Sequence, residues 1–360
     1  MSLLPRRVLL VEQVTAFLRG QLRGGRWTGA LPGEHALCSQ LQVSRSTLRL
    51  ALATLRREGL IRGAQGQRAR ATGRRRTGRR RPSRLIAVVS SQPLARQSSR
   101  AILSLAELRR QFYQAGFELE LHVVPQTVRR MGRSRLQALG QRTHAACWVL
   151  VSCSSEVQRW FAASALPALV HGSCHAGVDL PAFRIDAAAV ARHAFGLLHR
   201  QGHRRIGLLL PPSPYAGALE VKAAMQQARD ALGPDVGDLL VRDHAGGAEG
   251  IRRALATLRA ARPPITALIV MMASDALTAY CQLLEAGCRL PRDISLLSIF
   301  DDFPLSESAP AVARYTCDPT LLDRKLARAV IRLATSGSQP PSYSLFPRLV
   351  VGTTLGPARS

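Results

Sequence analysis

Residues 31–61 constrain the fold of this chain most, because they read as two helices separated by a very short turn: LPGEHALCSQLQVSRSTLRLALATLRREGLI. The first helix is predicted over residues 33–41, and residues 42–43 form the turn. Ser44 suits the N-cap of the second helix, which runs through Glu58, because its hydroxyl can accept a hydrogen bond from a free N–H of the first turn. Two helices joined so closely pack at a steep angle, so the segment predicts a helix-turn-helix.

Two further elements belong to the same predicted unit. Apolar residues recur at helical spacing over residues 6–23, which predicts an amphipathic helix before the pair. Gly59 follows the second helix of the pair at the usual position of a C-terminal cap. Residues 60–72 then read as two short strands around Gly66, which predicts a wing.

The start of the second helix carries the side chains that a DNA-reading helix needs, since a helix-turn-helix places this end in the major groove. An arginine can form two hydrogen bonds with a guanine edge, and serine or threonine hydroxyls can reach bases or phosphates. The residues predicted to contact DNA here are Ser44, Arg45, Ser46, Thr47 and Arg49.

The charge of the chain favours a polyanionic partner for its first quarter. The chain has 50 Lys+Arg against 23 Asp+Glu, a formal net charge of +27. Residues 1–84 hold 19 arginines and 3 glutamates, a net +16, and the remaining residues hold +11. Residues 73–84, GRRRTGRRRPSR, read as a linker that either follows phosphates or is a solvated spacer. A GC-rich codon bias is the alternative explanation for any single arginine, because only Lys222 and Lys325 of the 50 basic residues are lysines.

The sequence also predicts the cellular location of the protein and the absence of a bound metal or cofactor. No apolar run reaches the roughly 18 residues that a membrane span needs, and the N-terminus lacks an apolar secretion signal. The seven cysteines are scattered, and none forms a CxxC pair or lies near a histidine cluster at zinc spacing. We therefore expect a cytoplasmic protein with reduced thiols, no bound metal, no cofactor and no membrane partner.

The first unit resembles the winged helix-turn-helix of the GntR family of bacterial regulators over about residues 8–72. The motifs that carry the resemblance are LPxE at 31–34, VSRSTLR at 43–49, AL at 51–52, Leu55, EGLI at 58–61 and the wing glycine. The resemblance implies that Arg45, Ser46, Thr47 and Arg49 contact DNA and that the Gly66 wing approaches the minor groove. His35 stands where the family usually has arginine, so a phosphate contact at His35 is expected to be weaker.

From Leu85 onward the pattern changes to apolar strands that alternate with amphipathic helices. Strands without polar alternation are typical of parallel sheets that are covered by helices on both faces. About 250 residues is long for one such sheet, so the pattern predicts an α/β fold of two lobes with a cleft between them. The strands are predicted at 85–90, 117–124, 146–152, 168–172, 205–210, 238–241, 265–271 and 294–300, and the helices at 101–115, 187–201, 218–232, 248–261, 276–286 and 321–335.

Residues 85–357 resemble the effector-binding domain of the LacI/GalR family, which has a periplasmic-binding-protein-like fold. The motifs are Asp186 before a helix and QGHRRIGLLL at 201–210, the segment from ALIVMM to SIFDD at 267–302, and FPRLVVGTTLGP at 346–357. A GntR-type reader on a LacI-type sensor is the combination of the arabinose repressor type. The resemblance implies a dimeric repressor whose effector is a small molecule such as a sugar.

Open α/β sheets bind ligands at the carboxyl ends of their strands, and ionised aspartates suit sugar hydroxyls because they accept several hydrogen bonds. The predicted effector-binding residues are Ser90, Ser91, Asp186, Tyr215, Ser274, Asp275 and Asp301. For each aspartate, capping of a helix N-terminus is the alternative role. Tyr215 is included as a stacking surface for a sugar ring.

One departure from the second family raises an alternative function. The family carries an arginine that grips the ligand shortly after the first strand of its second lobe, but residues 211–227 contain none, and Ser274 stands where asparagine is common. The chain is therefore predicted to be a sequence-specific transcription regulator controlled by a small molecule, or one whose sensor has lost ligand binding and serves only for dimerisation. An enzyme fused to a DNA reader is disfavoured, because no catalytic motif such as GxxxxGK[ST], GxSxG or HExxH is present.

Overall fold

The computed structural model describes residues 10–23, 31–63, 69–71, 83–124, 132–212, 215–233 and 236–359. The chain divides into two compact units, Met1–Arg81 and Pro82–Ser360. Within the described ranges, no helix has the length and apolar character needed to cross a membrane.

The first unit is the predicted winged helix-turn-helix. Its elements are α1 (Leu10–Arg23), α2 (Glu34–Leu41), α3 (Arg45–Arg57), β1 (Ile61–Arg62) and β2 (Arg70–Ala71), and the two strands pair antiparallel. Leu18, Leu48 and Leu55 are fully buried where the three helices pack together. Gln42 takes a left-handed conformation with φ of 52°, which ends α2 and directs the chain into α3.

The first lobe of the second unit is a six-stranded parallel sheet in the order β13-β7-β6-β5-β3-β4. Its strands are β3 (Leu85–Ser90), β4 (Glu118–Val123), β5 (Cys147–Val151), β6 (Ala168–His171), β7 (Ala182–Ile185) and β13 (Tyr343–Leu345). Its helices are α4 (Ser99–Gln114), α5 (Gly132–Arg142), α6 (Ser155–Ala163) and α12 (Pro319–Ser336). Phe112 of α4 and Leu326 of α12 are buried on one face of the sheet, while Leu136 and Phe161 are buried in a separate cluster that also includes Trp148 of β5.

The second lobe is a six-stranded sheet in the order β14-β12-β11-β10-β8-β9, in which only the pairing of edge strand β14 is antiparallel. Its strands are β8 (Arg205–Leu210), β9 (Asp238–Asp243), β10 (Ala267–Val270), β11 (Ser295–Ser298), β12 (Ala313–Thr316) and β14 (Arg348–Val350). Its helices are α7 (Ala187–Arg200), α8 (Ala216–Asp230), α9 (Gly247–Arg259), α10 (Ala273–Glu285) and α11 (Phe303–Ser306). Every residue of β10 is buried, as the continuous apolar run predicted.

The chain crosses between the lobes three times, after β7, after β12 and between β13 and β14. Residues after β3 and β6 of the first lobe touch residues after β8 of the second lobe. The carboxyl ends of both sheets therefore line the junction between the lobes, where ligands bind in open α/β folds.

Several predicted elements need correction. Helix α10 starts at Ala273, three residues before its predicted start, so Ser274 and Asp275 lie in its first turn rather than in a loop before it. The prediction omitted α5, α6, α11, β7, β12, β13 and β14. The omitted strands have only three or four residues, and each contains an arginine or a serine, so none forms a continuous apolar run. The N-terminal part of the predicted helix over 6–23 lies outside the described residues.

Candidate DNA-binding surface and effector cleft

Ser44 caps α3 through its side chain. Its Oγ accepts a hydrogen bond from the backbone N–H of Thr47 at 3.1 Å, and it lies 2.8 Å from both the Ser46 and the Thr47 hydroxyl oxygens. The three hydroxyls therefore form a network that fixes the first turn of α3. In this structure the hydroxyls of Ser44 and Thr47 are used mainly to hold the helix start.

Arg45 is the residue of this turn whose side chain is available for recognition. It is exposed, and within the described part of the chain its guanidinium has no hydrogen bond or ion pair. Ser46 beside it is also exposed. A capped helix start that projects an uncommitted guanidinium is the geometry that base-edge recognition in a major groove requires.

Two ion pairs join separate parts of the motif and were not predicted. The Nε of Arg49 lies 3.0 Å from Oε2 of Glu34, which fastens α3 to the start of α2. The Nε and Nη2 of Arg19 in α1 lie 2.8 and 2.5 Å from the two carboxylate oxygens of Glu58, next to the end of α3. Exposed pairs contribute only about 0–1 kcal/mol each, so their main effect is to orient the helices. Glu34 of LPGE and Glu58 of EGLI thus have structural roles.

The remaining predicted DNA contacts lie at α2 and the wing. His35 is exposed in the first turn of α2. The predicted wing strands are present, and the N–H of Leu31 donates to the carbonyl of Ala69 at 2.8 Å, which ties the wing to the segment before α2. Gly66 lies outside the described residues.

In the first lobe, Ser90 is the last residue of β3 and Ser91 follows it, as predicted. Both hydroxyls form hydrogen bonds within the chain. The Ser90 Oγ donates to the carbonyl of Gln92 at 3.0 Å and accepts from Gln97 Nε2 at 2.8 Å. The Ser91 Oγ donates to the carbonyl of Ser152 at 2.5 Å. Both serines brace the loops at the edge of the cleft.

The aspartates of the second lobe also have partners within the chain. Asp186 is the N-cap of α7, accepting from the N–H of Ala189 at 2.9 Å, so the capping role that was its alternative is the one observed. Asp275 accepts from Nε2 of buried His244 at 2.9 Å. The Nδ1 of His244 accepts from the N–H of Gly246, so it is Nε2 that donates to Asp275. Ser274 is exposed, 3.4 Å from the Asp275 carboxylate.

Asp301 and Asp302 lie where the two lobes meet. Asp301 Oδ1 is 3.0 Å from Arg314 Nε in a largely buried ion pair whose angle is poor for a hydrogen bond. Asp302 Oδ1 accepts from the backbone N–H of Arg100 in the first lobe at 2.9 Å and from that of Phe303 at 2.8 Å. The backbone of α4 is thereby joined to the second lobe.

Two more contacts cross the cleft. Gln92 Nε2 donates to the hydroxyl of Tyr215, so Tyr215 bridges the lobes, although it was predicted to be a stacking surface. Glu220 of α8 accepts from Arg184 of β7 and from Ser173 after β6. Residues 211–227, which lack the expected ligand-binding arginine, therefore contact the first lobe through the carboxylate of Glu220.

A cavity of about 430 Å³ lies between α4, α11 and the start of α12, with walls from both lobes. Its polar lining includes Arg100, Asp301, Asp302, Thr316, Thr320 and Asp323. Asp323 is buried, and Ser104 Oγ donates to it at 2.5 Å. Burial raises the pKa of the Asp323 carboxyl above its usual value.

Of the seven predicted effector residues, Asp301 lines this cavity, while Ser90 lines a separate apolar space of about 50 Å³ beneath α4. His171, the last residue of β6, lies beside that smaller space. Burial, reinforced by the charge of Arg100, lowers the pKa of His171 to about 4. The structure therefore does not gather the predicted residues into one pocket.

Sequence reasoning missed His171, Arg184, Glu220 and Arg314. His171 could have been found, because it is the penultimate residue of the predicted strand ALVHG and the same strand-end rule applies to it. Arg184 and Glu220 offered no such signal, since they are 36 residues apart and meet only across the lobe junction.

Comparison with known proteins agrees with both predicted parts. Residues 10–70 match the profile of bacterial regulatory proteins of the gntR family, and residues 195–355 match that of a periplasmic binding protein-like domain. A search of curated protein sequences found no match.

Solved structures of transcription regulators share the fold. The transcriptional regulator CelR, solved as a cellobiose complex, is 19% identical with a TM-score of 0.64, and the alignment covers 97% of this chain and 100% of that one. A LacI transcriptional regulator from a Rhodococcus species is 22% identical with a TM-score of 0.63, covering 76% and 99%. A LacI family regulator from Bifidobacterium animalis subsp. lactis DSM 10140 is 17% identical with a TM-score of 0.65, covering 77% and 99%.

A winged helix-turn-helix that matches a family of bacterial regulatory proteins, joined to a two-lobed α/β domain, defines a DNA-binding transcription regulator. More specifically, this chain combines a GntR-type DNA-binding domain with a periplasmic binding protein-like domain, as its two sets of motifs predicted.

Proposed function

We propose that this regulator binds a roughly palindromic double-stranded DNA operator as a homodimer, with one α3 in the major groove of each half-site. The observation that supports this most directly is the Ser44-capped start of α3, which exposes the uncommitted guanidinium of Arg45. Ser46, Thr47, Arg49, His35 and the Gly66 wing supply the surrounding contacts in this proposal.

The proposed domain organisation is a reader over residues 1–72, a linker over 73–84 and an effector and dimerisation domain over 85–357. The arginines of the linker follow phosphates next to the operator, which adds a salt-dependent and sequence-independent component to the affinity. The protein acts in the cytoplasm, where its DNA target is found.

We further propose that a small polyhydroxylated molecule, such as a sugar, binds between the lobes and acts on a repressor. The cavity of about 430 Å³ is in the size range of small-molecule sites, and its carboxylates and hydroxyls suit sugar hydroxyls. The solved cellobiose complex of a regulator with this fold supports the same class of ligand. Asp301 is the predicted residue best placed for this role, and an effector acts only by binding one lobe arrangement better than the other.

A homodimer would cover apolar side chains that are exposed in the single chain. Leu103 of the first lobe is 63% exposed and Phe303 of the second lobe is 66% exposed. Both side chains line the same cavity. A partner chain that covers them would therefore contact both lobes, and its binding would depend on how the lobes are arranged. Sedimentation velocity of the wild type and of Phe303→Ser tests this part, and an unchanged mass distribution contradicts it.

The effector proposal is tested by thermal-shift screening of the full chain against a library of mono- and disaccharides. Binding should raise the melting temperature, and Asp301→Asn should reduce that shift, while Asp293→Asn, at a half-buried aspartate that pairs with Arg289 and Arg359 and does not line the cavity, should leave it unchanged. Genome-wide mapping of bound sites identifies the operator, and the neighbouring genes narrow the library.

The second candidate is a regulator whose sensor has lost ligand binding and serves for dimerisation. The observation in its favour is that Ser90, Asp186 and Asp275 are hydrogen-bonded within the chain. The absence of an arginine over 211–227 agrees with it. A screen in which no sugar shifts the melting temperature, together with operator binding that no sugar changes, favours this candidate over the first.

A further inference from the structure

We infer that Arg184, Glu220 and Ser173 form a latch that holds the two lobes closed without any effector. Arg184 and Ser173 belong to the first lobe, on β7 and just after β6, and Glu220 belongs to α8 of the second lobe. This inference goes beyond the proposed function, because it concerns the chain alone and holds whether or not the cleft binds a sugar.

The latch has the geometry of a strong charge-assisted contact. Nη1 of Arg184 donates to both oxygens of Glu220, at 2.6 and 2.7 Å, and Ser173 Oγ donates to Glu220 Oε2 at 2.7 Å. The side chains of Arg184 and Glu220 are each 28% exposed, so solvent and salt screen the pair less than a fully exposed one. One carboxylate of the second lobe thus takes three hydrogen bonds from the first.

The first lobe holds its half of the latch in position. The Nε of Arg184 donates to the hydroxyl of Ser344 on the neighbouring strand β13, at 3.2 Å. This bond fixes the guanidinium before Glu220 approaches, so little side-chain freedom is lost when the lobes close. The latch is therefore preorganised on the first lobe and completed by the second.

The residues around Glu220 add further contacts between the two lobes. The backbone of the neighbouring Gly217 approaches Ser173, since a Cβ at Gly217 would lie 3.7 Å from Ser173 Oγ. Tyr215, at the N-cap of α8, is bonded to Gln92 of the first lobe. The start of α8 therefore lies against the first lobe at several points, and Glu220 supplies the ionic one.

The consequence is that the balance between closed and open lobes is set by the chain itself. A half-buried pair with three hydrogen bonds, allowing for its partial exposure, favours the closed arrangement by a factor on the order of 10. An effector can shift this regulator only by the difference between its affinities for the two arrangements, so the latch determines how large that difference must be.

Hydrogen exchange of the full chain without added ligand tests the latch. Glu220→Gln and Arg184→Gln should each raise exchange in peptides covering residues 171–175 and 215–221, by a factor on the order of 10. Glu249→Gln is the matched control, because Glu249 is an exposed glutamate whose arginine partners lie on its own helix. Exchange in both peptides that equals the wild type in Glu220→Gln overturns the inference.

A charge swap separates the latch from general damage to the fold. The double variant Glu220→Arg with Arg184→Glu should restore part of the slow exchange, because it rebuilds the ion pair but not the bonds to Ser173 and Ser344. The double Gln variant should exchange no faster than either single variant, because all three lack the same ion pair. The swap remains informative even if a single variant loses its fold by circular dichroism. A folded swap variant that exchanges as fast as Glu220→Gln overturns the inference.

Discussion

Replacement of Arg45 by alanine isolates DNA recognition from the fold of the reader. The guanidinium is exposed, and among the described residues it has no hydrogen-bond or ion-pair partner. Its loss leaves the cap at Ser44 and the core around Leu48 untouched, so the free energy of unfolding should change by less than about 0.5 kcal/mol. Any larger effect on DNA binding therefore comes from the lost contact with DNA.

The expected loss follows from the contact that the geometry allows. A bidentate arginine–guanine contact contributes about 1–3 kcal/mol of discrimination, which is about 5- to 150-fold in affinity for one half-site. If two readers bind a palindrome, the losses add to about 2–6 kcal/mol for the whole operator. Non-specific DNA should lose much less, since it keeps only the phosphate contacts.

Fluorescence anisotropy with the mapped operator and with a scrambled duplex, at one fixed salt concentration, measures both affinities. Arg259→Ala is the control, because it removes the same charge from an exposed site on α9 in the other unit. Unchanged operator affinity in Arg45→Ala would refute the assignment of α3 as the recognition helix. An equal loss on both duplexes would show that Arg45 contacts phosphate rather than a base.

Three further predictions follow from the sequence and the site. Ser44→Ala should lower the free energy of unfolding of the reader by about 1 kcal/mol, measured by urea unfolding, because the N–H of Thr47 loses its acceptor; an unchanged midpoint contradicts the capping role. Deletion of residues 74–81 should flatten the slope of log affinity against log salt, and an identical slope would make the linker a spacer. Wild-type stability should fall as the pH drops from about 6.5 to about 4, because in that window the unfolded chain binds a proton at His171 that the folded chain, with a pKa of about 4, does not. His171→Gln should show a weaker dependence over the same window, and equal pH profiles would mean that His171 is not buried in its neutral form.

The sequence predicted the fold where its local signals were long or specific. The reader was identified partly because VSRSTLR and EGLI contain local features, the Ser44 cap and the Gly59 turn, that need no distant partner. The long apolar strands of both lobes were predicted for the same reason. Short strands such as β7 and β14 were missed because pairing with neighbours, rather than composition, makes them strands.

The candidate site was predicted less well. The rule that ligands bind at strand ends selected residues at the carboxyl edge of each sheet, but it could not tell which polar groups have partners inside the chain. Asp186 is used as a helix cap and Asp275 is bonded to His244, 31 residues away. Each of these roles depends on atoms that only packing brings within 3 Å.

By itself, then, the sequence determined the class of this protein: a GntR-type reader, a strongly basic first quarter and a two-lobed α/β domain. These properties follow from short-range patterns, because helix caps, turns and apolar periodicity are set by residues a few positions apart. Only the tertiary structure decided that Glu34 holds Arg49, that Tyr215 bridges to Gln92 and that Glu220 joins Arg184 across the lobes. The chain crosses between the lobes three times, so each lobe combines distant segments, and contacts across the cleft have no signature in the linear sequence.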